Sequence, residues 1–150
     1  MTDQTPFSPP PKIVFDAEPL VAHADNEQGK AKVSAYLDAV AHGASEGYLH
    51  QVNATEVRYI IARKYDRDTA DQYLQWLSSI GINPSDNKSV WGTAADWVLD
   101  FNPALGDAYA LATAELVDGT LLVGSDDDYD AIMADKGVHV SIERFRHTSA

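Results

Sequence analysis

At 150 residues the chain is long enough for one domain with a real core. Its 45% apolar content and three Trp exclude a disordered chain, and the absence of Cys excludes disulfides and thiolate metal sites. A formal net charge of −12 works against long-range attraction of nucleic acid in dilute salt. Of the 23 acidic residues 17 are Asp, and only six residues are Lys. That balance is similar to the composition of proteins from halophilic organisms, where the Debye length shrinks to ~3 Å at 1 M salt and distant repulsion fades. The first residues show neither the basic nor the apolar region of a secretory signal, and no apolar run approaches the ~18 residues of a membrane helix. A cytoplasmic location without membrane association is therefore expected.

In chain order, residues 1–11 read as a disordered tail, with three consecutive prolines at 9–11. Residues 12–15 (KIVF) form a short buried strand that Asp16 ends. Pro19 suits a first helical turn. Residues 30–42 carry Val33, Tyr36, Leu37 and Val40 on one helical face. Residues 48–52 read as a second strand. Asn53 to Glu56 then resembles a capping box at the start of another helix, with Val57, Ile60 and Ile61 facing inward. Residues 69–80 and 86–101 are helical by spacing, and Ile82 between them is placed in a small strand. Asp107 opens a slim helix rich in Ala. Asp118-Gly119 is a turn pair, and residues 120–123 form a strand buried on both faces. Asp126, Asp127, Asp128 and Asp130 follow directly. Residues 129–134 give a turn or two of helix, 138–142 a last strand, and 147–150 a tail. No internal repeat or linker interrupts this order.

Short strands separated by helices predict one α/β domain over residues 12–146. The expected architecture is a three-layer α/β/α sandwich around a central, mostly parallel twisted sheet of 4–5 strands. In such sheets ligands bind beyond the carboxyl ends of the strands. Asp16 and Asp126 each follow a buried strand, and Glu56 and Asp107 each lie near a helix start, so all four are expected at one edge. Each has a plainer reading alone: a turn former, a helix cap, a charge favoured by a helix dipole, or a solvated loop. Together, carboxylates held ~4 Å apart repel by ~4 kcal/mol at an effective dielectric near 20. Such a cluster takes up protons or holds a cation, and hard oxygen ligands favour Mg²⁺ or Mn²⁺.

These pieces carry a family resemblance. The segments VFDAEPL (14–20), NATEV (53–57), GDAYALATA (106–114) and LLVGSDDDY (121–129), in this order and spacing, resemble a PIN domain. PIN domains include the VapC-type toxins, which are Mg²⁺-dependent ribonucleases. The resemblance implies metal-holding acids at Asp16, Glu56, Asp107 and Asp126, with Asp128 as a further acid. It departs at Asp16-Ala17-Glu18, where many such toxins have a hydroxyl residue second; Ser125 could supply a hydroxyl beside Asp126.

The implied reaction is hydrolysis of RNA phosphodiesters by a metal-activated water, with Mg²⁺ as cofactor and Mn²⁺ as a substitute. The implied partners are an RNA substrate, a second copy in a homodimer and an antitoxin protein; PIN nucleases without antitoxins and silent PIN-like binding modules are the alternatives. Arg58, Arg63, Lys64 and Arg67 around the Glu56 helix, and Arg144 and Arg146 near the end, read either as RNA phosphate contacts or as helix-end charges ion-paired with the many Asp, and Ser125 is a further candidate for substrate binding. None of the five His sits in a motif that suggests catalysis.

Overall fold

The computed structural model describes residues 7–147. Five strands form a single sheet: β1 (Lys12–Phe15), β2 (Glu46–His50), β3 (Pro84–Ser85), β4 (Thr120–Val123) and β5 (Ser141–Arg144). Seven helices connect and cover them among the described residues: α1 (Ala17–Ala24), α2 (Lys30–Ala41), α3 (Gln51–Lys64), α4 (Arg67–Ser79), α5 (Val90–Phe101), α6 (Leu105–Val117) and α7 (Asp128–Ala134). The strand order is β3-β2-β1-β4-β5, and every pairing is parallel.

Alternation along the central strands divides the core into two. Ile13, Phe15 and Leu122 point into a cluster with Leu20, Leu37 and Leu77 from the first helices. Val14, Leu121 and Val123 point the other way, onto Trp97, Leu111 and Ile132. A strand's period of two sends neighbours to opposite faces, so both faces of the sheet are dry and three layers result. The small residues of α6 serve this packing: Ala108, Ala110, Ala112 and Ala114 are all buried.

Strand order also locates the site. From β1 the sheet grows one way through β2 and β3, and the other way through β4 and β5. The order therefore reverses between β1 and β4, and a crevice opens beyond their carboxyl ends, the usual ligand position in open α/β sheets. Asp16 and Asp126 both lie at that reversal.

Several local expectations shift. The small strand is at Pro84–Ser85, on the edge, where Pro is tolerated; Ile82 is instead fully buried in the core. Helix α5 begins at Val90, later than expected, and β5 runs Ser141–Arg144 rather than over 138–142. Helix α3 begins at Gln51 with His50 as its N-cap, the ring Nδ1 accepting from the Val52 N–H at 3.1 Å. Asn53 is thus inside the helix and caps nothing. Of the expected N-terminal tail, residues 1–6 lie outside the described residues. Phe7 rests on the Tyr36 ring at 5.1 Å, and the Pro10 and Pro11 carbonyls accept from Ser45 Oγ and the Glu46 N–H. Of the expected C-terminal tail, residues 148–150 lie outside the described residues. No helix among those described is long and apolar enough to cross a membrane.

Candidate active site

Asp16 leaves β1 and caps α1. Its Oδ1 accepts from the Ala17 N–H at 2.8 Å, and its Oδ2 accepts from the Tyr129 hydroxyl at 2.8 Å. The carboxylate is almost fully buried. Burial raises its pKa, with the Tyr129 and Ala17 donors pulling the other way.

Asp107 enters from the first turn of α6, whose N-terminus faces the same crevice because α6 runs antiparallel to the strands. It too is buried, and its Oδ2 has no hydrogen-bond partner. Burial first, then the charges of Asp16 and Asp126, push its carboxyl up to about 10. A buried acceptor with no donor is rare and costs about 1–3 kcal/mol. A cation at that oxygen would remove the penalty.

Asp126 follows β4 and is exposed to the crevice. Its Oδ1 accepts from the Asp128 N–H at 2.9 Å. Glu56 reaches in from α3 and is half-buried; burial and then the charge of Asp16 raise its pKa. Gly106 makes room for it: a Cβ there would lie 2.2 Å from Glu56 Oε1. Asp16, Glu56, Asp107 and Asp126 line one cleft of about 230 Å³, with Glu18, Ile60 and Arg146 also on its walls.

Asp128 joins from a second side. Carboxylate oxygens of Asp107, Asp126 and Asp128 lie within 4.8 Å of one another. The other role of Asp128 is structural, since its Oδ2 accepts from the Ala104 N–H at 2.8 Å and so holds the start of α6. The two acid sets share Asp107 and Asp126. Their donors are all hard oxygens, with no Cys or His among them, and Asp107, shared by both, carries the unpartnered Oδ2. This set suits Mg²⁺ or Mn²⁺.

The remaining expected residues lie elsewhere. The Ser125 N–H and hydroxyl both donate to Glu18 Oε2, at 2.8 and 3.3 Å, so Ser125 fixes the loop that carries Asp126. Arg58 forms a two-pronged pair with Asp71 of α4, at 2.8 and 3.3 Å. The Arg63 guanidinium lies over the Tyr59 ring, 4.8 Å from its centroid. These two arginines border a neighbouring hollow of about 680 Å³ with Arg67, and neither lines the acidic cleft.

Two residues of the site escaped the sequence reading. Tyr129 is fully buried and supplies Asp16 with its hydroxyl donor. Asn53, also fully buried, donates from Nδ2 to the Gly106 carbonyl at 2.9 Å and to Glu56 Oε1 at 3.2 Å, tying α3 to α6 at the cleft. A signal existed for Tyr129, an aromatic with a polar tip three residues beyond Asp126. None separated Asn53 from an ordinary cap.

Four acids from four elements thus meet at the reversal of a parallel sheet. The family model of the PIN domain matches residues 13–134. The chain belongs to the PIN domain family. PIN domains are generally nucleases, and membership supports a nuclease activity at the family level. Among solved structures this PIN domain is similar to a chain of FitAB bound to the IR36 DNA fragment. The TM-score is 0.60 at 20% sequence identity, over 89% of this chain and 94% of that one. At that identity the likeness speaks for the fold. No curated protein is significantly similar in sequence.

Proposed function

We propose that this PIN domain is an Mg²⁺-dependent endoribonuclease, with Mn²⁺ as a substitute, acting as the toxin of a VapC-type pair. The observation that carries the nuclease reading is the buried, unpartnered Asp107 Oδ2, set among Asp16, Glu56 and Asp126 in one cleft. Asp16, Asp107 and Asp126 would hold the ion, with Glu56 and Asp128 completing the set through water or a second ion. When bound, the ion lowers the pKa of a water towards neutrality and offsets charge on the phosphate.

The chain's own groups keep the acids in place. Tyr129 and the Ala17 N–H orient Asp16 so that an ion meets it with little rearrangement. Asn53 holds Glu56 against the Gly106 backbone. Glu18 and Ser125 anchor the loop before Asp126. No side-chain nucleophile is required.

RNA is the proposed substrate, and a homodimer and an antitoxin are the proposed partners of a cytoplasmic protein. The fold it shares with FitAB, a protein seen on DNA, agrees with work on nucleic acid. The test joins cleavage to binding. Mg²⁺ near 100 times its Kd should stabilise the wild type by about 2.7 kcal/mol. Asp107→Asn should lose most of that shift and the RNA cleavage with it. An Asp107→Asn variant that cleaves as fast as wild type refutes the site.

A further inference from the structure

We propose that Arg146 is a catalytic residue of this cleft, presenting the fixed Nη2 end of its guanidinium to the phosphate of the RNA strand being cut. This deepens the nuclease reading above and rests on it. Arg146 lies beyond the residues matched to the family, 13–134, in a stretch where the sequence shows no element.

Among the described residues, Arg146 is the one cation on the cleft's walls. The other charged groups there are Asp16, Glu18, Glu56, Asp107 and Asp126. A phosphodiester entering this cleft meets five carboxylates. Bound metal offsets part of that repulsion, and a guanidinium facing the non-bridging oxygens offsets more.

Its geometry suits that task. The side chain is 7% exposed. Nε donates to Glu18 Oε2 at 3.3 Å, and Nη1 donates to Glu27 Oε1 at 2.9 Å and to the Gln28 carbonyl at 3.3 Å. Those bonds use Nε and both hydrogens of Nη1 and leave the Nη2 end of the group. Nη2 has no hydrogen bond among the described residues, and it is not sealed off as a buried unsatisfied atom. Two N–H donors therefore remain on a residue that lines the cleft. Arg keeps its charge at any working pH, and the Nη2 amino group offers its N–H donors to phosphate oxygens.

The segment is also held still. The Phe145 N–H donates to the Val123 carbonyl at 2.8 Å, extending β5 alongside the end of β4. The Arg146 guanidinium lies over the Phe145 ring, 4.8 Å from its centroid. That ring packs on Gly29, at φ +88°, where a Cβ would come within 2.7 Å of Phe145 Cδ2. A donor fixed before substrate arrives needs no reorganisation during the reaction, and such donors contribute most to stabilising developing charge. Glu18 gains a purpose here as well: one carboxylate holds both the Asp126 loop and the arginine.

The test separates phosphate contact from packing. Arg146→Ala should lower kcat on the order of a hundredfold, with Arg146→Lys restoring part of it. RNA affinity is measured in an Asp107→Asn background, where no cutting occurs. There Arg146→Ala should flatten the slope of log K against log salt by about 0.7, the loss of one phosphate contact on a single strand. Glu27→Gln weakens one anchor of the guanidinium and should lower kcat less than Arg146→Ala does. Should Arg146→Ala not fold, Arg146→Gln keeps the length without the charge and is read the same way. Unchanged kcat and slope on loss of the arginine overturn the proposal. If the wild type cuts no RNA, the nuclease reading fails by itself, and the salt slope still decides the phosphate contact.

Discussion

At the scale of single residues, the site is a problem of keeping buried carboxylates in one orientation before their ion arrives. Asp16 solves it with two donors, a backbone N–H and the Tyr129 hydroxyl. Tyr129→Phe removes one donor and leaves Asp16 Oδ2 buried without a partner. Loss of one partner of a buried bond costs about 1–3 kcal/mol. The variant should therefore show a lower urea midpoint without metal, and the deficit should shrink when Mg²⁺ is added, since the ion then serves the same carboxylate. An equal deficit with and without Mg²⁺ would place Tyr129 in the core alone. Asp107 differs, having no donor for Oδ2 at all. It is the oxygen with most to gain from a cation.

Between elements, α3 and α6 meet at their N-terminal ends, and a glycine sets how closely. Gly106 leaves the space that Glu56 occupies, and Asn53 bridges the two helices there. In Gly106→Ala the new Cβ would meet the tip of a flexible side chain, so Glu56 swings aside at little expense. Ala is also the better helix residue by about 0.5–1 kcal/mol. We predict near-normal or raised melting temperature in EDTA, together with a loss of RNA cleavage comparable to Glu56→Gln. A variant that cleaves normally would show that Glu56 need not sit against α6. This element pair also shows what a sequence can disclose. That the four acids meet in one cleft was legible because parallel topology sends every strand end, and the start of each helix that crosses between strands, to one edge. Asn53 was not, because a capping box and a bridge to a distant carbonyl have the same local spelling. Nor were the bounds of β5: its Glu143 and Arg144 look like solvated residues, yet Arg144 turns inward to donate to the Gly124 carbonyl at 2.6 Å. Long-range partners decided both, and spacing along one chain does not carry them.

For the molecule as a whole, a net charge of −12 invites an explanation by overall repulsion, but the cleft makes a local prediction that pH can isolate. Asp107 keeps its proton to about 10 in the folded protein, whereas an unfolded Asp loses it near 3.9. Between those values the folded state binds more protons than the unfolded one. Stability must then fall as pH rises, by at most about 1.4 kcal/mol per pH unit for one such group. Asp16 and Glu56, raised by burial, act in the same direction. His23 and His50, lowered by burial, act oppositely, adding stability as pH climbs towards 6.5. The window from pH 7 to 9 leaves the histidines neutral in both states and the buried tyrosines protonated. There the metal-free protein should lose melting temperature with rising pH. Asp107→Asn should flatten the decline, and saturating Mg²⁺ should flatten it in the wild type, because the ion replaces the proton. Salt distinguishes this from overall charge: 1 M KCl screens exposed acids, with a Debye length near 3 Å, but acts weakly on a buried cluster. A decline that persists in 1 M KCl and vanishes in Asp107→Asn belongs to the cleft. A decline that 1 M KCl abolishes in the wild type belongs to the surface, and the cleft acids would then be ionised without strain.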